Sequence, residues 1–428
     1  AASSSLTSTR IIHIMLRTLA RRAAPTARMS FARHLCSLQP VTSGATGVYS
    51  DAPSPLQEFS VVYTDRALNH MSEPFKKVML DMNDILKEAY HAEHAVIIPG
   101  SGSYGMEAVA RQFATGKKVL VLRNGYFSFR WTQIFEQCGI TDDVTVMKAR
   151  PTDDRPTKAQ YAPCPIEEVV AHILAEKPAC VFAPQVETST GIILPDWYVQ
   201  KVSEAVHSYG GMMVLDCIAS GTVFANMETL GVDALISAPQ KGWTGPACAA
   251  LVMLSAHGGE MTRNTQSTSF VCSLRKWLEV MDAYEAGGFM YHATMPTDAL
   301  VVARDLMAMT REMGYSNVEA KAWELGTLVR KYMCEERGLV SVAAPGFESP
   351  GVVVVYSDDS AIAGKFAAAG TQIAAGVPFM IGEPEGTQTF RIGLFGIDKL
   401  KDPPTTLNNL RRALDTALPP SQQLAASA

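Results

Sequence analysis

The sequence predicts an α/β fold, with a large, mostly parallel sheet followed by a smaller C-terminal α+β domain. Short apolar runs of strand length alternate with longer stretches of helical spacing, which is the pattern of βαβ units covered on both faces. The pattern changes after Gly338, where strand-like runs lie closer together. The chain has 428 residues, 47% of them apolar and 18% charged, with a formal net charge of −5. That profile belongs to a globular enzyme and does not point to nucleic acid. No apolar run is long and clean enough to span a bilayer.

The elements follow in order. Residues 74–93 place Phe75, Val78, Met79, Met82, Ile85, Leu86 and Tyr90 at helical spacing. A short strand, Ala95–Ile98, leads into Pro99-Gly100-Ser101-Gly102-Ser103 and a helical run over 104–113. A strand within Lys117–Gly125 and a helix over 129–137 come next. Further strands are expected at Val144–Met147, Ala179–Pro184, Gly211–Asp216, Ala234–Ala238 and Cys248–Leu254. Helices over 166–176 and 197–208 separate several of them. Long helices are expected over 297–313 and 317–337. The second domain then offers strands at 339–343, 351–356 and 389–394, with helices over 360–369 and 404–417. The expected boundaries are 51–300 for the large domain with its N-terminal segment, 301–420 for the small domain and 421–428 for a polar tail.

The first 50 residues differ in kind. They contain no Asp or Glu, and Arg10, Arg17, Arg21, Arg22, Arg28 and Arg33 are spread among Ala, Ser, Leu and Thr. An arginine-rich, acid-poor, amphipathic start is the signature of an organellar transit peptide; a basic tail without a targeting role is the alternative. The mitochondrial matrix is the expected destination, with a plastid as the second choice. The eight cysteines are scattered without a C-x-x-C pair, so no zinc site or disulfide framework is indicated.

The chemistry centres on Ser237-Ala238-Pro239-Gln240-Lys241-Gly242, where an apolar strand delivers a lysine into a turn of small residues. Partial dehydration there disfavours the ammonium and makes the amine nucleophilic, as Schiff-base chemistry requires. A surface loop lysine is the plainer alternative. Asp216 ends the apolar strand Val214-Leu215-Asp216, at the edge where α/β sheets hold ligands, although it could equally cap a helix. Gly100-Ser101-Gly102-Ser103, between a strand and a helix, has the composition of a phosphate cradle. Gly/Ser turns after strands are also common without one.

The order phosphate turn, Asp, Lys resembles fold-type I pyridoxal 5′-phosphate (PLP) enzymes. The local words resemble the class V aminotransferase group, which holds alanine–glyoxylate, serine–pyruvate and 2-aminoethylphosphonate–pyruvate aminotransferases. The matching words are Gly100–Ser103 with Glu107-Ala108, Asn124-Gly125, Glu187–Gly191, Asp216 with Ala219-Ser220, Gln240-Lys241, Tyr291–Thr294 with Pro296, and Arg391-Ile392-Gly393.

The resemblance implies a PLP-dependent transaminase in which Lys241 carries the cofactor and Asp216 pairs with its ring nitrogen. It implies that Ser101, Gly102, Ser103 and Gln240 hold the phosphate, that Phe127 and Ile218 cover the two ring faces, and that Thr188 bonds the phenolic oxygen. Tyr291 and Thr294 would reach the phosphate of the neighbouring subunit in a homodimer with shared active sites. Arg391 would grip the substrate carboxylate. Plainer roles exist for each: core packing for Phe127, Ile218 and Tyr291, a turn cap for Thr188, and an ion pair with Asp398 or Glu385 for Arg391.

The Gly-Pro-rich pocket segment of many relatives is replaced here by Thr64–Ser72, where Asn69 and His70 would line the pocket or simply form a turn. The favoured reaction is amino transfer from a small amino acid, alanine or serine, to a 2-oxo acid, glyoxylate or pyruvate. The alternatives are a 2-aminoethylphosphonate–pyruvate transaminase, suggested by the spelling Gly-Ser-Gly-Ser-Tyr, and a PLP-dependent lyase. A desulfurase would need a mobile cysteine in the C-terminal half, where only Cys334 follows Cys272, inside an expected helix.

Overall fold

The structure, a computed structural model, describes residues 52–419. The expected transit peptide and the polar tail lie outside the described residues. The described chain divides at Asn69/His70 into a short N-terminal unit and a second unit that carries the sheets. In the short unit, Asn69 Nδ2 donates to Glu58 Oε1 (3.1 Å) and Ser60 Oγ (3.0 Å).

The second unit opens with helix α1 (Glu73–Tyr90). Its N-cap Ser72 accepts from the Phe75 N–H, and Pro74 fits the first turn, where its missing N–H costs nothing. The buried stripe is Phe75, Val78, Met79, Met82, Ile85, Leu86 and Tyr90, as the spacing requires. Strands β1 (His94–Pro99), β2 (Val119–Arg123), β3 (Val144–Lys148), β4 (Cys180–Pro184), β5 (Met212–Asp216), β6 (Ala234–Ser237) and β7 (Ala249–Leu254) then form one sheet in the order β1-β7-β6-β5-β4-β2-β3. β2 pairs in parallel with β3 and β4, β4 with β5, and β5 with β6; β7 runs antiparallel between β6 and β1. Strands β2, β4, β5, β6 and β7 are buried throughout, as strands covered on both faces must be, whereas β3 at the sheet edge is only partly buried.

This topology brings the carboxyl ends of β1, β2, β4, β5 and β6 to one edge. At that edge lie Gly100–Ser103, Asn124-Gly125, Glu187–Thr190, Asp216 at the end of β5, and Lys241. Helices α2 (Gly102–Phe113) and α3 (Tyr126–Gln137) begin at that edge.

The C-terminal part holds β8 (Val352–Tyr356), β9 (Ala374–Ala375) and β10 (Thr389–Gly393) in the antiparallel order β8-β10-β9. Val353, Val355, Phe390 and Ile392 of β8 and β10 share a core with Val318, Leu325 and Val329 of the helix Tyr315–Arg330 and with Leu407, Leu410 and Leu414 of the helix Pro403–Ala417.

Two local expectations are corrected and one element is added. The helix expected over 317–337 stops as an α-helix at Arg330 and continues as a π-helical turn, Lys331–Glu336, which contains Cys334. The strand expected at 339–343 makes no continuous ladder. Its groups alternate between two partners, with Tyr356 N–H donating to Val340 O, Val342 N–H to Val354 O and Tyr161 N–H to Val342 O. The helix Leu274–Glu285 adds to the sequence reading; Ser273 caps it, and Leu274, Trp277, Leu278, Met281 and Tyr284 make its buried stripe.

Candidate active site

Lys241 leaves β6 through a turn closed by Thr244 N–H to Lys241 O (3.1 Å) and Gly245 N–H to Pro239 O (2.8 Å). The turn is pressed against a neighbouring loop: a Cβ on Gly242 would lie 1.8 Å from Gly221 O. Lys241 Nζ lies 5.8 Å from the ring centre of Phe127 and 5.7 Å from that of Phe395. Burial pushes its pKa down, against the pull of the Asp216 and Glu187 carboxylates. A lowered pKa favours the free amine, as an attacking or proton-moving group needs.

Asp216 ends β5, beside β6 in parallel register, with Asp216 opposite Ile236. Burial pushes its carboxyl pKa up to about 6, and the Ile218 N–H, 2.9 Å from Oδ1, partly offsets that. The hydrogen bond closes a local turn. No helix starts there, so the alternative role as a helix cap is not the one Asp216 plays.

One cavity is lined by Ser101, Gly102, Ser103, Phe127, Asp216, Ile218, Gln240 and Lys241, together with Met106, Arg130, Val186 and Ala219. Eight residues singled out in the sequence therefore meet in one place. Ser101 precedes α2 in extended conformation, and its side chain makes no cap bond to the helix's first N–H groups. That leaves the helix N-terminus available for an anion. Gly102 permits the close approach of Ile218: a Cβ there would stand 2.5 Å from Ile218 Cδ1.

Phe127 lies in the first turn of α3, and its position depends on Glu187. This fully buried carboxylate accepts from the N–H groups of Phe127 (3.2 Å), Ser128 (2.8 Å) and Ser189 (3.1 Å), and the hydroxyls of Ser128 and Ser189 lie 2.8 and 2.9 Å from it. A carboxylate at a helix N-terminus complements the helix dipole and the unpaired N–H groups. Thr190 Oγ1 ties the same segment to Asn124 O at 2.9 Å. The words Asn124-Gly125 and Glu187–Gly191 are thus two halves of one locked joint.

Thr188 is buried in this joint but does not line the cavity. Arg391, on β10, has its Cζ 5.8 Å from the Phe127 ring centre and donates from Nε to Ala375 O at 2.9 Å. It forms no ion pair with Asp398 or Glu385, the partners considered from sequence. Burial lowers its pKa, and Glu187 opposes that. Tyr291 and Thr294 lie exposed on a loop, joined by a 3.0 Å hydrogen bond, and do not line this chain's cavity. The ring of His70 packs beside Phe289 and Tyr291 at 5.8 and 5.5 Å between centres, and its backbone oxygen accepts from Tyr284 Oη.

Arg130 and Glu187 were not assigned roles from sequence. Arg130 follows Phe127 by three residues, the spacing that puts two side chains on one helix face, and this was the available signal. Glu187 stood in the matching word Glu187–Gly191, which was its signal.

The site can be set beside known proteins. The family model for class V aminotransferases matches residues 55–359. The chain belongs to the class V aminotransferase family. Proteins similar to it include the alanine–glyoxylate aminotransferase of Oryctolagus cuniculus, 25% identical over 366 residues, covering 82% of this chain and 86% of that one. That of Rattus norvegicus is 26% identical over 258 residues, 59% of each chain. Among solved structures, alanine–glyoxylate aminotransferase from Nostoc sp. superposes with a TM-score of 0.70 at 20% identity, over 82% of this chain and 89% of that one. Ureidoglycine–glyoxylate aminotransferase from Bacillus subtilis gives 0.68 at 20% identity, over 81% and 87%. The fold is that of fold-type I PLP enzymes, and the chain is a PLP-dependent transaminase of this family.

The donor set suits the cofactor. A buried acid, a pKa-lowered lysine, an aromatic ring, an aliphatic side chain and a serine-lined helix N-terminus share one cavity. Each matches one part of pyridoxal phosphate: ring nitrogen, aldehyde, two ring faces and phosphate.

Proposed function

We propose that this chain moves an amino group from a small amino acid, with alanine or serine favoured, to a 2-oxo acid, glyoxylate or pyruvate. The observation that carries the proposal is the convergence of Lys241 and Asp216 on one cavity with the Ser101–Ser103 helix N-terminus. The names of similar relatives support alanine and glyoxylate among these substrates. When bound, pyridoxal phosphate supplies an electron-withdrawing ring that takes up the charge left on the substrate's α-carbon.

The chain's own residues do the rest. Ser101, Gly102, Ser103 and Gln240 hold the phosphate, with Tyr291 and Thr294 reaching it from the neighbouring subunit of a homodimer. Phe127 and Ile218 confine the ring, and Thr188 bonds its phenolic oxygen. The Asp216 carboxylate, ionised above about pH 6, keeps the ring nitrogen protonated. Lys241 would carry the cofactor, and its amine, freed by the amino donor, would take the donor's α-proton and pass it to the cofactor, then move a proton back to the α-carbon of the 2-oxo acid in the second half-reaction. Arg391 orients the α-carboxylate through two parallel hydrogen bonds. His70 would border the substrate. The acid-free, arginine-rich residues 1–50 support delivery to the mitochondrial matrix, with a plastid as the alternative address.

The test is a half-reaction screen. Holoenzyme is mixed separately with alanine, serine, glycine, glutamate, 2-aminoethylphosphonate and taurine, and the lysine-bound cofactor band is followed as it disappears. Rapid loss with alanine or serine is the expected result. Loss with the phosphonate alone overturns the donor assignment. A Lys241→Ala protein that still develops the lysine-bound band overturns the role of Lys241.

A further inference from the structure

The residues given to the phosphate carry no positive charge. Ser101, Gly102, Ser103 and Gln240, with Tyr291 and Thr294 of a neighbour, are all neutral. A phosphate monoester brings between one and two negative charges near neutral pH. The N-terminus of α2 offers only about half a unit of positive charge in return. Bringing a near-dianion into a partly dehydrated cavity calls for a full counter-charge.

Arg130 stands where that charge is needed. It lines the same cavity as the three cradle residues, and its Nη1 donates to Ser103 Oγ at 3.3 Å. Its guanidinium carbon lies 4.8 Å from the centre of the Phe127 ring. Among the described residues no carboxylate lies within ion-pair distance of it, whereas Arg111, Arg263 and Arg304 each have one. A cavity-lining guanidinium without an acidic partner is a cation awaiting an anion. Arg391 is not a substitute: it sits on the other sheet, and its Nε is taken by Ala375 O.

We infer that Arg130 is the counter-ion of the cofactor's phosphate. This rests on the reading of the chain as a PLP enzyme. The planar fork of arginine matches two phosphate oxygens at once, and stacking on Phe127 fixes the guanidinium beforehand. One turn of α3 thereby sets both the aromatic cover of the ring and the grip on the ester.

The competing role for Arg130 is to brace Phe127. The two roles separate when the phosphate is removed from the ligand. Apo-protein is titrated with pyridoxal phosphate and with pyridoxal, which lacks the ester, in wild type, Arg130→Met and Arg130→Lys. Binding is read from the lysine-bound absorbance band and from protein fluorescence. The expected result is that Arg130→Met weakens pyridoxal phosphate by roughly ten- to a hundred-fold, the range for a charge-assisted hydrogen bond, and leaves pyridoxal unchanged. Arg130→Lys recovers part of the loss, and inorganic phosphate competes less well in Arg130→Met than in wild type. Unchanged pyridoxal binding also shows that the variant is folded. Equal weakening of both ligands, or of neither, overturns the inference. Wild-type protein that takes up neither form overturns the underlying PLP reading, and the inference with it.

Discussion

Two buried carboxylates, Asp216 in the cavity lining and Glu187 in the joint that anchors Phe127, are maintained differently. Glu187 is surrounded by donors from Phe127, Ser128 and Ser189, while Asp216 has the Ile218 N–H. Burial therefore raises the Asp216 pKa to about 6. A carboxyl raised from 3.8 in this way makes the folded state less stable as pH climbs from about 4 to 6, and the cost is constant above that. Two pH units at about 1.4 kcal/mol each bound the cost near 3 kcal/mol. Asp216→Asn keeps an oxygen for Ile218 and removes the buried charge. The apo-protein of this variant should melt higher than wild type at pH 7.5, with the gain vanishing by pH 4, while transamination is lost. A melting gain that does not change with pH would contradict this. Glu187→Gln, by contrast, sets an amide NH₂ against existing donors. It should lower stability by on the order of 3 kcal/mol in denaturant titration and weaken cofactor uptake.

Elements matter here for where they end. β5 and β6 run in parallel register, so Asp216 and the Lys241 turn emerge at one edge. α2 and α3 begin at that edge, which places their N–H-rich ends near the cavity. The Lys241 turn cannot drift, because Gly242 touches the Gly221 backbone rather than a movable side chain. Gly242→Ala should therefore move the turn. Far-ultraviolet circular dichroism should remain close to wild type while the lysine-bound band falls severely. Retention of a full band would show that the turn tolerates the displacement. The strand pattern behind this edge was legible because buried strands read as short apolar runs. The direction of β7 was not, since an apolar run reads the same in either direction.

The whole molecule raises the matter of a second copy. Tyr291 and Thr294 lie on a loop that also exposes Phe289 and Met290, away from the chain's own cavity lining. If they serve a neighbour's phosphate, defects in different subunits should complement. Inactive Lys241→Ala chains co-expressed with a Tyr291→Phe, Thr294→Val double variant should form hybrid dimers. In each hybrid one of the two sites has an intact set of residues. Activity well above the sum of the two separate preparations is the expected outcome, and simple additivity would place each site within one chain.

The sequence by itself determined the alternation of strands and helices, the family words and the lysine–aspartate pair. These are local signals: periodicity, a residue at a strand end, a turn of small residues. The resemblance carried by those words pointed to Ser101–Ser103, Phe127 and Ile218, which line one cavity with Lys241 and Asp216. Tertiary structure alone decided that Glu187 anchors Phe127 from about 60 positions along the chain, and that Arg130 faces Ser103 without an acidic partner. The reason is physical. Burial, pairing and the lack of a partner belong to the space around a side chain. That space is filled by segments distant in sequence, which no local pattern records.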